Sequence, residues 1–487
     1  MPDQVSGLDS AACAHILTDL FWKDPNPMAD TPRPAATRKR RFAVWQGAAA
    51  LSTLALVPLA TGAMATVDAS TQDEVQRFLD VFLEVRSNYV EPVNDDKLIE
   101  GAISGMLASL DPHSSYLDAR NFKQLRTQTD GEYGGLGLSV TMEDGVVKVI
   151  SPQADTPADR AGIKSGDFIT HIDNELIVGL PLDEAVDKMR GAPGTSIDIR
   201  IVREGRDKPI ELTLKREVID LKPVKWEVSQ GVGVITVNSF STDATQDVKA
   251  GVLAVEKSLG GKPRGYILDM RSNPGGLLDE AVGISDLFLE RGEIVSQRGR
   301  RKGDIERYFA EPGDIAKGLP VIVLIDAGSA SASEIVAGAL QDQRRAVVLG
   351  ERSFGKGSVQ TVLTLTDTTA LRLTTARYYT PSGRSVQEGG IDPDIQVPQL
   401  TDPDYASRPR FRESDLRRHL VNEKRVDNTI LEKDEKVDPR FTAKPEELKA
   451  KGIEDFQLHY ALEMIGRIGP AQAKLAAAKP AGAARRN

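Results

Sequence analysis

The sequence is poor in the residues that nucleophilic enzymes and metal sites most often use. Its 487 residues contain a single cysteine, Cys13, so an intrachain disulfide is excluded, and neither thiol catalysis nor a cysteine-based metal site is expected. The five histidines are scattered along the chain at His15, His113, His171, His419 and His459. We therefore expect no metal and no cofactor. Basic residues are not in excess, and the net charge of −9 argues against a nucleic-acid-binding face.

The remaining composition is typical of a soluble protein with several domains. Hydrophobic residues make up 40% and charged residues 27% of the chain. A chain of this length exceeds what one compact core supports. We predict a multidomain α/β protein, divided at residues 1–65, 70–130, 132–218, 219–400 and 401–487.

Residues 1–65 have the pattern of a targeting segment. The basic stretch Thr37-Arg-Lys-Arg-Arg41 precedes an apolar run from Ala43 to Ala60, and Ala63-Met-Ala65 supplies small residues for a signal peptidase. The run is about eighteen residues long, near the lower limit for crossing a bilayer, so an uncleaved anchor is the alternative. We expect an exported protein that is periplasmic or anchored to the inner membrane facing the periplasm, where ATP is scarce.

The next two regions differ in hydrophobic period. Apolar residues between Gln72 and Leu110 have helical spacing, which predicts two helices joined at Glu91–Asn94 that pack on another domain or a second subunit. Residues 132–218 alternate instead, and Ile197, Ile199 and Ile201 show this best. The predicted strands are Leu136–Met142, Val146–Ile150, Phe168–Ile172, Thr195–Val202 and Ile210–Lys215, with helices at Thr156–Ala161 and Leu182–Met189.

From residue 219 to about 400, strands and helices alternate, which predicts a largely parallel sheet covered by helices. The strands are placed near Val232–Asn238, Tyr266–Met270, Val321–Ile325 and Ala346–Leu349, and the helices near Gln246–Leu259, Leu277–Leu289 and Ser333–Gln341. Residues 401–487 are charged and irregular, and we expect a disordered tail from Ala471.

Three unusual loops follow strands of the predicted parallel sheet: Arg271–Gly276, Ala327–Ser331 and Glu351–Gly357. Ligands gather at the carboxyl ends of such strands. If these strands are neighbours, the three loops share one cleft.

The stretch Gly-Ser-Ala-Ser-Ala-Ser-Glu-Ile at 328–335 has two interpretations. Ser331-Ala-Ser-Glu334 matches a capping box, which satisfies free N–H groups at a helix start. Alternatively, a serine at this helix N-terminus is a nucleophile, because the positive potential there stabilises a developing oxyanion.

A nucleophilic serine needs a base, and no histidine lies near this stretch in sequence. Lys356, between Gly355 and Gly357, is the candidate. At its ordinary pKa, only roughly one lysine in 2,500 is neutral at pH 7. Burial must therefore lower the pKa of Lys356 by about three units, which costs roughly 4 kcal/mol of free energy. A solvated loop cation is the alternative interpretation.

Gly350–Lys356 also fits the first positions of a phosphate-binding P-loop. The next residue is Gly357 instead of the serine or threonine that holds magnesium. Residues 358–365 alternate like a strand instead of forming a helix, so we reject nucleotide binding.

Five motifs occur together in order: Gly131-Glu-Tyr-Gly-Gly-Leu-Gly-Leu138, Arg271-Ser-Asn-Pro-Gly-Gly276, Ser329-Ala-Ser-Ala-Ser-Glu334, Phe354-Gly-Lys-Gly-Ser-Val-Gln360 and Gly383-Arg-Ser-Val-Gln-Glu-Gly-Gly-Ile-Asp-Pro-Asp394. With these motifs the chain resembles the carboxyl-terminal processing peptidases, or tail-specific proteases, from about residue 72 to 397. The region after Thr401 carries none of the family's motifs.

The resemblance implies a serine–lysine dyad. In the family, the base lies twenty-five residues after the nucleophile, the separation of Ser331 and Lys356, and a glutamine four residues later, here Gln360, orients the base. The resemblance therefore selects Ser331 over Ser329 and Ser333.

The resemblance also implies the supporting groups. The oxyanion hole would use the N–H of Ala332 and that of either Gly275 or Gly276. Glu334 and Asp342 fall where the family has acidic residues, and we expect supporting roles for both.

Residues 132–218 resemble a PDZ domain, which binds a peptide's free C-terminus as an added strand. The resemblance assigns the carboxylate-binding loop to Gly135, Leu136, Gly137 and Leu138. Arg190 is a candidate link between peptide binding and catalysis. A purely structural β-module is the alternative.

We therefore expect an exported, ATP-independent serine endopeptidase acting on proteins with free, apolar C-termini. A catalytically silent PDZ scaffold that binds protein tails is the alternative. Contacts with a second copy or an adaptor through the N- or C-terminal regions are also expected.

Overall fold

The computed structural model describes residues 69–206, 208–405, 407–408, 410–423 and 440–467. The predicted targeting segment, Cys13 and the tail from Ala471 lie outside these residues. The chain divides into two compact units, Met1–Phe78 and Leu79–Asn487, and every described strand belongs to the second unit. Within the described residues, no helix has the length and apolar character needed to cross a membrane. The five predicted domain boundaries stay predictions.

The N-terminal region is helical, as predicted. It contains α1 (Ala69–Asn88), α2 (Asp95–Ala108), β1 (Ser115–Leu117) and α3 (Ala119–Asp130). The Asn94 side chain accepts a hydrogen bond from the Lys97 N–H at 3.0 Å and so caps α2 at the predicted joint. Helix α3 was not predicted, because its sequence is polar and only Phe122 is buried.

A β-rich module follows, with seven strands and two short helices. Its elements are β2 (Glu132–Gly135), β3 (Leu138–Glu143), β4 (Val146–Pro152), α4 (Pro157–Arg160), β5 (Phe168–Ile172), β6 (Glu175–Leu176), α5 (Leu182–Met189), β7 (Ser196–Val202) and β8 (Ile210–Lys215). The antiparallel order is β3-β4-β5-β7-β8 with β6 on β5, so β3 is an edge strand. Alternation along β7 buries Ile197, Ile199 and Ile201, as predicted.

Strand β9 (Glu217–Asp220) pairs with β2 and leads from the module into the larger domain. The remaining strands are β10 (Val224–Ser229), β11 (Val232–Val237), β12 (Tyr266–Asp269), β13 (Gly292–Gly299), β14 (Ile305–Ala310), β15 (Val321–Ile325), β16 (Val347–Gly350), β17 (Ser358–Thr364), β18 (Ala370–Tyr379) and β19 (Ile395–Gln396). The described helices are α6 (Ala244–Ser258), α7 (Leu278–Leu287), α8 (Ala332–Asp342), α9 (Pro445–Ala450) and α10 (Phe456–Arg467), with a 3-10 turn at Glu413–Asp415.

The central sheet is mostly parallel, in the order β10-β11-β12-β15-β16-β19. Only β10 pairs antiparallel, at one edge. Every residue of Val321–Ile325 is buried, as expected for a parallel strand covered on both faces.

Helices cover both faces of this sheet. Residues of α6, α7 and α8 share one hydrophobic cluster with it. On the other face, Ala461, Leu462 and Ile465 of α10 pack against strand residues such as Ile267 and Ile322. The charged C-terminal region therefore supplies a covering helix, which the sequence pattern did not predict.

A second, antiparallel sheet was also not predicted as a unit. It has the order β1-β18-β13-β14, with β17 paired to β18. The pairing of Ser115 with Arg372 attaches the N-terminal region to this sheet. Strand β17 confirms that residues after Lys356 do not continue as a helix.

Candidate active site

The three predicted loops converge because β12, β15 and β16 are neighbours in the sheet. The Ala330 N–H donates to the Asn273 carbonyl oxygen at 3.0 Å, which joins the first loop (271–276) to the second loop (327–331). The Phe354 N–H donates to the Ser329 carbonyl oxygen at 3.0 Å, which joins the third loop (351–357), called the lysine loop below, to the second loop. The expected shared cleft is therefore present.

The three serines of the second loop have different environments. Ser329 and Ser333 are fully buried, and their hydroxyls donate to the carbonyl oxygens of Met270 at 2.8 Å and Asn273 at 2.9 Å. Ser331 is partly exposed, and it is the N-cap residue of α8, paired with Glu334 in a capping box. Only Ser331 therefore has a hydroxyl that is not engaged in holding the loops.

Ser331 also has an unusual backbone. Its φ is 54° and its ψ is −111°, a region that residues with a side chain rarely occupy. Two hydrogen bonds maintain it: the Ser331 N–H donates to Glu334 Oε2 at 2.7 Å, and the Glu334 N–H donates to the Ser331 carbonyl oxygen at 2.9 Å. The bond from the Ser331 N–H is the glutamate half of the capping box at the start of α8.

Glu334 connects the serine loop to the lysine loop. Its carboxyl group is fully buried and accepts hydrogen bonds from the N–H groups of Ser331 (2.7 Å), Gly355 (2.7 Å) and Lys356 (3.0 Å), and from the hydroxyls of Ser353 (2.6 Å) and Tyr378 (3.4 Å). Burial raises the pKa of Glu334 to about 7, although these hydrogen bonds lower it. One side chain therefore holds both loops of the site.

Lys356 is in a low-dielectric environment. Burial lowers its pKa below the ordinary lysine value, and the positive charge of Arg372 acts in the same direction. The carboxylates of Glu413, Glu334 and Asp111 oppose the shift. A lowered pKa increases the neutral fraction of the amine near neutral pH, which a general base requires.

Tyr378, which was not predicted, is a third connection between the two loops. It is buried, and its hydroxyl group lies 3.1 Å from the Ser331 carbonyl oxygen and also hydrogen-bonds the Lys356 carbonyl oxygen.

Gln360 lies on β17, near Lys356 in sequence but engaged elsewhere. Its Nε2 donates to Ser358 Oγ at 3.0 Å and to Thr374 Oγ1 at 3.3 Å. Thr374 Oγ1 in turn donates to the Asp111 carboxylate at 3.0 Å. Among the described residues, Gln360 makes no hydrogen bond to the lysine side chain, so its orienting role stays a prediction.

The two glycines of the first loop, Gly275 and Gly276, differ in whether their N–H groups are hydrogen-bonded. Gly275, with φ of 104°, lies so close to the second loop that an added Cβ would be 2.9 Å from the Ala332 nitrogen. Its N–H already donates to Asn273 Oδ1 at 2.9 Å. Within the described residues, the N–H groups of Gly276 and Ala332 have no hydrogen-bond partner. This geometry favours Gly276 over Gly275 as the second oxyanion donor.

Comparison with known proteins agrees with this geometry. The profile of Peptidase family S41 matches residues 231–397, that of the PDZ domain residues 134–214, and that of the activating protease CtpB N-terminal domain residues 56–121. The carboxy-terminal-processing protease of Bartonella bacilliformis is 49% identical over 374 residues, which are 76% of this chain and 86% of that protein. The chain belongs to the carboxy-terminal-processing protease family.

Two more relatives are similar to this protease. The carboxy-terminal processing protease CtpB of Bacillus subtilis is 36% identical over 353 residues, 72% of each chain. The solved structure of a photosystem II D1 C-terminal processing protease is 29% identical, with a TM-score of 0.40, covering 66% of this chain and 93% of that one. The family establishes a serine peptidase with a PDZ domain, whereas the expected oligomer and adaptor contacts stay predictions.

The carboxylate-binding loop predicted for the PDZ domain joins β2 to β3. Gly137 has φ of 76°, a left-handed conformation that glycine adopts without strain. Leu136 is buried in the module core, and Leu138 packs against the same cluster. The loop therefore leads directly into the edge strand β3, next to which a peptide can be added.

The contacts of Arg190 and Asp342 are with residues outside the serine and lysine loops. Arg190 stacks on the Tyr133 ring of β2, with 4.8 Å between its guanidinium carbon and the ring centre. The Asp342 carboxylate accepts the Ser382 N–H at 3.0 Å. Arg190 therefore contacts β2, which pairs with the strand β9 that leads into the protease domain, and Asp342 supports a turn.

Sequence reasoning missed His113. Its distance along the chain suggested that no histidine reaches the site, yet His113 Nε2 lies 2.8 Å from Glu413 Oε2. The Glu413 N–H donates to the Phe354 carbonyl oxygen at 3.1 Å, in the lysine loop. Separation in sequence did not exclude proximity, because pairing of β1 with β18 brings residues before Ser115 to the protease domain.

An open cavity of about 550 Å³ lies at the junction of the loops. Its lining includes Lys356, Ser272 and the apolar residues Pro274, Ala330 and Phe354. Residues after Thr401, among them Tyr405 and Phe411, complete it. The cavity is therefore large enough for substrate side chains next to the lysine.

Proposed function

We propose that this chain is an exported serine endopeptidase that hydrolyses peptide bonds with Ser331 as nucleophile and Lys356 as general base. The observation that supports this most is the contrast among the three serines. Ser329 and Ser333 are buried and hydrogen-bonded to the backbone, whereas Ser331 is partly exposed on a strained turn. Glu334 joins that turn to the loop of Lys356, a partly buried lysine.

The neutral amine of Lys356 accepts the proton of the Ser331 hydroxyl as Oγ attacks the scissile carbonyl carbon. The tetrahedral oxyanion then receives hydrogen bonds from the N–H groups of Ala332 and Gly276, at the N-terminus of α8. Collapse expels the amine, which takes the proton from Lys356, and leaves an acyl-enzyme. A water molecule, deprotonated by the same lysine, hydrolyses the ester and restores Ser331.

Substrate capture is proposed to occur at the PDZ domain. A protein's C-terminal segment adds to the edge of β3, and its carboxylate is held by backbone N–H groups of the loop from Gly135 to Leu138. Apolar terminal side chains are favoured because Leu136 and Leu138 belong to the adjoining hydrophobic cluster. Export is supported by the basic stretch and apolar run at residues 37–60.

A serine-directed phosphonate probe tests the proposal against a silent scaffold. We expect stoichiometric labelling of the wild type and none of Ser331→Ala. Ser333→Ala is the matched control and should label, because the Asn273 carbonyl oxygen keeps its hydrogen bond from the Ala330 N–H. Labelling that persists in Ser331→Ala would refute the nucleophile, and an unlabelled wild type would favour the scaffold.

A further inference from the structure

Glu413 lies in the motif-free region after Thr401, yet it contacts the lysine loop. Glu413 is fully buried. Its N–H donates to the carbonyl oxygen of Phe354, two residues before Lys356, at 3.1 Å. Its Oε1 accepts a hydrogen bond from Gln387 Nε2 at 3.0 Å.

Gln387 extends this contact to the other side of the lysine. It is fully buried, and its Oε1 accepts the N–H of Gly357, the residue after Lys356, at 3.0 Å. A Cβ on Gly357 would lie 2.4 Å from the Gln387 nitrogen, so the two backbones are in close contact. Glu413 and Gln387 therefore hold the chain on both sides of the base.

The charge of Glu413 also acts on the base. Charged groups act on Lys356 from four parts of the structure: Arg372 on β18, Glu334 on α8, Asp111 after α2, and Glu413. Among the carboxylates, Glu413 opposes the lowering of the lysine pKa most. The imidazole of His113 contacts Glu413 directly and adds a positive charge there when it is protonated.

We propose that Glu413 is a positioning residue for the Lys356 base, holding both sides of the lysine loop in place and setting the charge that the amine experiences. This inference rests on the proposed dyad and assigns a function to the segment at 410–423. Gly355 and Gly357 flank the lysine, and glycine restrains its own backbone less than other residues do. The contacts of Glu413 with Phe354 and of Gln387 with Gly357 restrain the backbone on each side of the lysine.

The test compares steady-state cleavage of an unfolded protein by the full chain and three variants across the pH range in which all stay folded. Glu413→Gln keeps the shape and removes the charge. Gln387→Met keeps the volume and removes the hydrogen bonds to Glu413 and Gly357. Glu454→Gln changes an exposed glutamate of the same region and is the control. Thermal unfolding of each variant verifies its fold.

For Glu413→Gln we expect kcat to fall about tenfold or more with KM unchanged. The amide places an NH₂ group where a carboxyl oxygen contacts His113 or Gln387, which disturbs the lysine loop, and misplacement of a base is costly. KM is unchanged because the residue does not touch substrate. We also expect the acid limb of the plot of kcat against pH to move to lower pH by about one unit. Removing an anion destabilises the ammonium form of Lys356, so the amine becomes neutral at lower pH. Any shift in the pKa of Glu334 is also downward, because removing a nearby anion favours the ionised form of this carboxyl group.

Gln387→Met should lower kcat without moving the acid limb, since no charge changes, and Glu454→Gln should match the wild type. An unchanged kcat and acid limb in Glu413→Gln would overturn the inference, as would a limb that moves to higher pH. If Glu413→Gln does not fold, a Gln387→Met variant with wild-type kcat overturns it. Cleavage that survives Ser331→Ala would instead refute the dyad itself, independently of Glu413.

Discussion

Glu334 accepts hydrogen bonds at both carboxyl oxygens, and this explains why an acid is needed at that position. Oε1 faces the Ser353 hydroxyl and the Gly355 N–H, and Oε2 faces the N–H groups of Ser331 and Lys356. An amide has only one acceptor oxygen, so its NH₂ group would face donors. Each buried donor left unpaired costs about 1–3 kcal/mol.

Above about pH 7, where the Glu334 carboxyl group is ionised, we therefore expect Glu334→Gln to lower the free energy of unfolding by about 2–4 kcal/mol and to reduce kcat at least about a hundredfold. Asp342→Asn, on the same helix, is the control and should have a small effect, since Asp342 holds only a partly exposed turn. Denaturant unfolding and cleavage rates measure both quantities. Wild-type activity in Glu334→Gln would contradict the structural role given to this carboxylate.

The pH dependence of stability provides a separate check on Glu334. Its pKa rises from 4.5 to about 7 on folding, so the native state binds more protons than the unfolded state between these values. The wild type should therefore lose up to about 3 kcal/mol relative to Glu334→Gln as pH rises through this window. A stability gap that stays constant across the window would show that the carboxyl group is not shifted.

At the scale of loops and strands, the first loop functions by lying close to the second. Gly275 has no space for a side chain, because a Cβ would lie 2.8 Å from the Ala330 carbonyl oxygen and 2.9 Å from Ser331 Cβ. A larger residue would push the Gly276 N–H away from the Ala332 N–H. The two proposed oxyanion donors would then be displaced relative to each other.

We expect Gly275→Ala to reduce kcat about a hundredfold or more, which is the usual cost of losing one oxyanion donor. Gly318→Ala is the matched control: its φ of 75° is also positive, but no atom lies within 4 Å of the added Cβ. Cleavage rates and thermal unfolding distinguish the two variants. Equal kcat values for both would show that the close approach is dispensable.

The sequence predicted the converging loops but not every contact among them. Alternation of strands and helices indicated a parallel sheet, and the shared cleft was predicted on the condition that Tyr266–Met270, Val321–Ile325 and Ala346–Leu349 are neighbours. The strand order β12-β15-β16 meets that condition. The choice between Gly275 and Gly276 could not be predicted, because it depends on which N–H the Asn273 side chain occupies. Glu413 was missed for a similar reason: its role comes from Phe354 and His113, which are distant in sequence.

At the scale of the whole molecule, the PDZ domain and the protease domain are joined through the β2–β9 ribbon, where Arg190 stacks on Tyr133. A substrate held at β3 by its C-terminal end adds main-chain hydrogen bonds whatever its sequence. Under the proposed function, selectivity then comes from the terminal carboxylate and the last side chains.

Amidating a substrate's C-terminus removes the carboxylate charge and should weaken capture by about 1–3 kcal/mol, the scale of a charge-assisted hydrogen bond. The measurement is the cleavage rate, at sub-saturating concentration, of two substrates that differ only in a free or an amidated end. A slower rate for the amidated substrate is expected. Equal rates would remove the PDZ domain from substrate selection.

The central claim is that a serine–lysine pair cleaves the peptide bond, and degradation of an unfolded test protein by wild type, Ser331→Ala, Lys356→Arg and Ser333→Ala tests it most directly. We predict degradation by the wild type, with a rate that rises with pH as Lys356 loses its proton, and by Ser333→Ala. Neither Ser331→Ala nor Lys356→Arg should degrade the protein, since arginine keeps its proton. Sustained degradation by Ser331→Ala, or near-normal turnover by Lys356→Arg, would contradict the account.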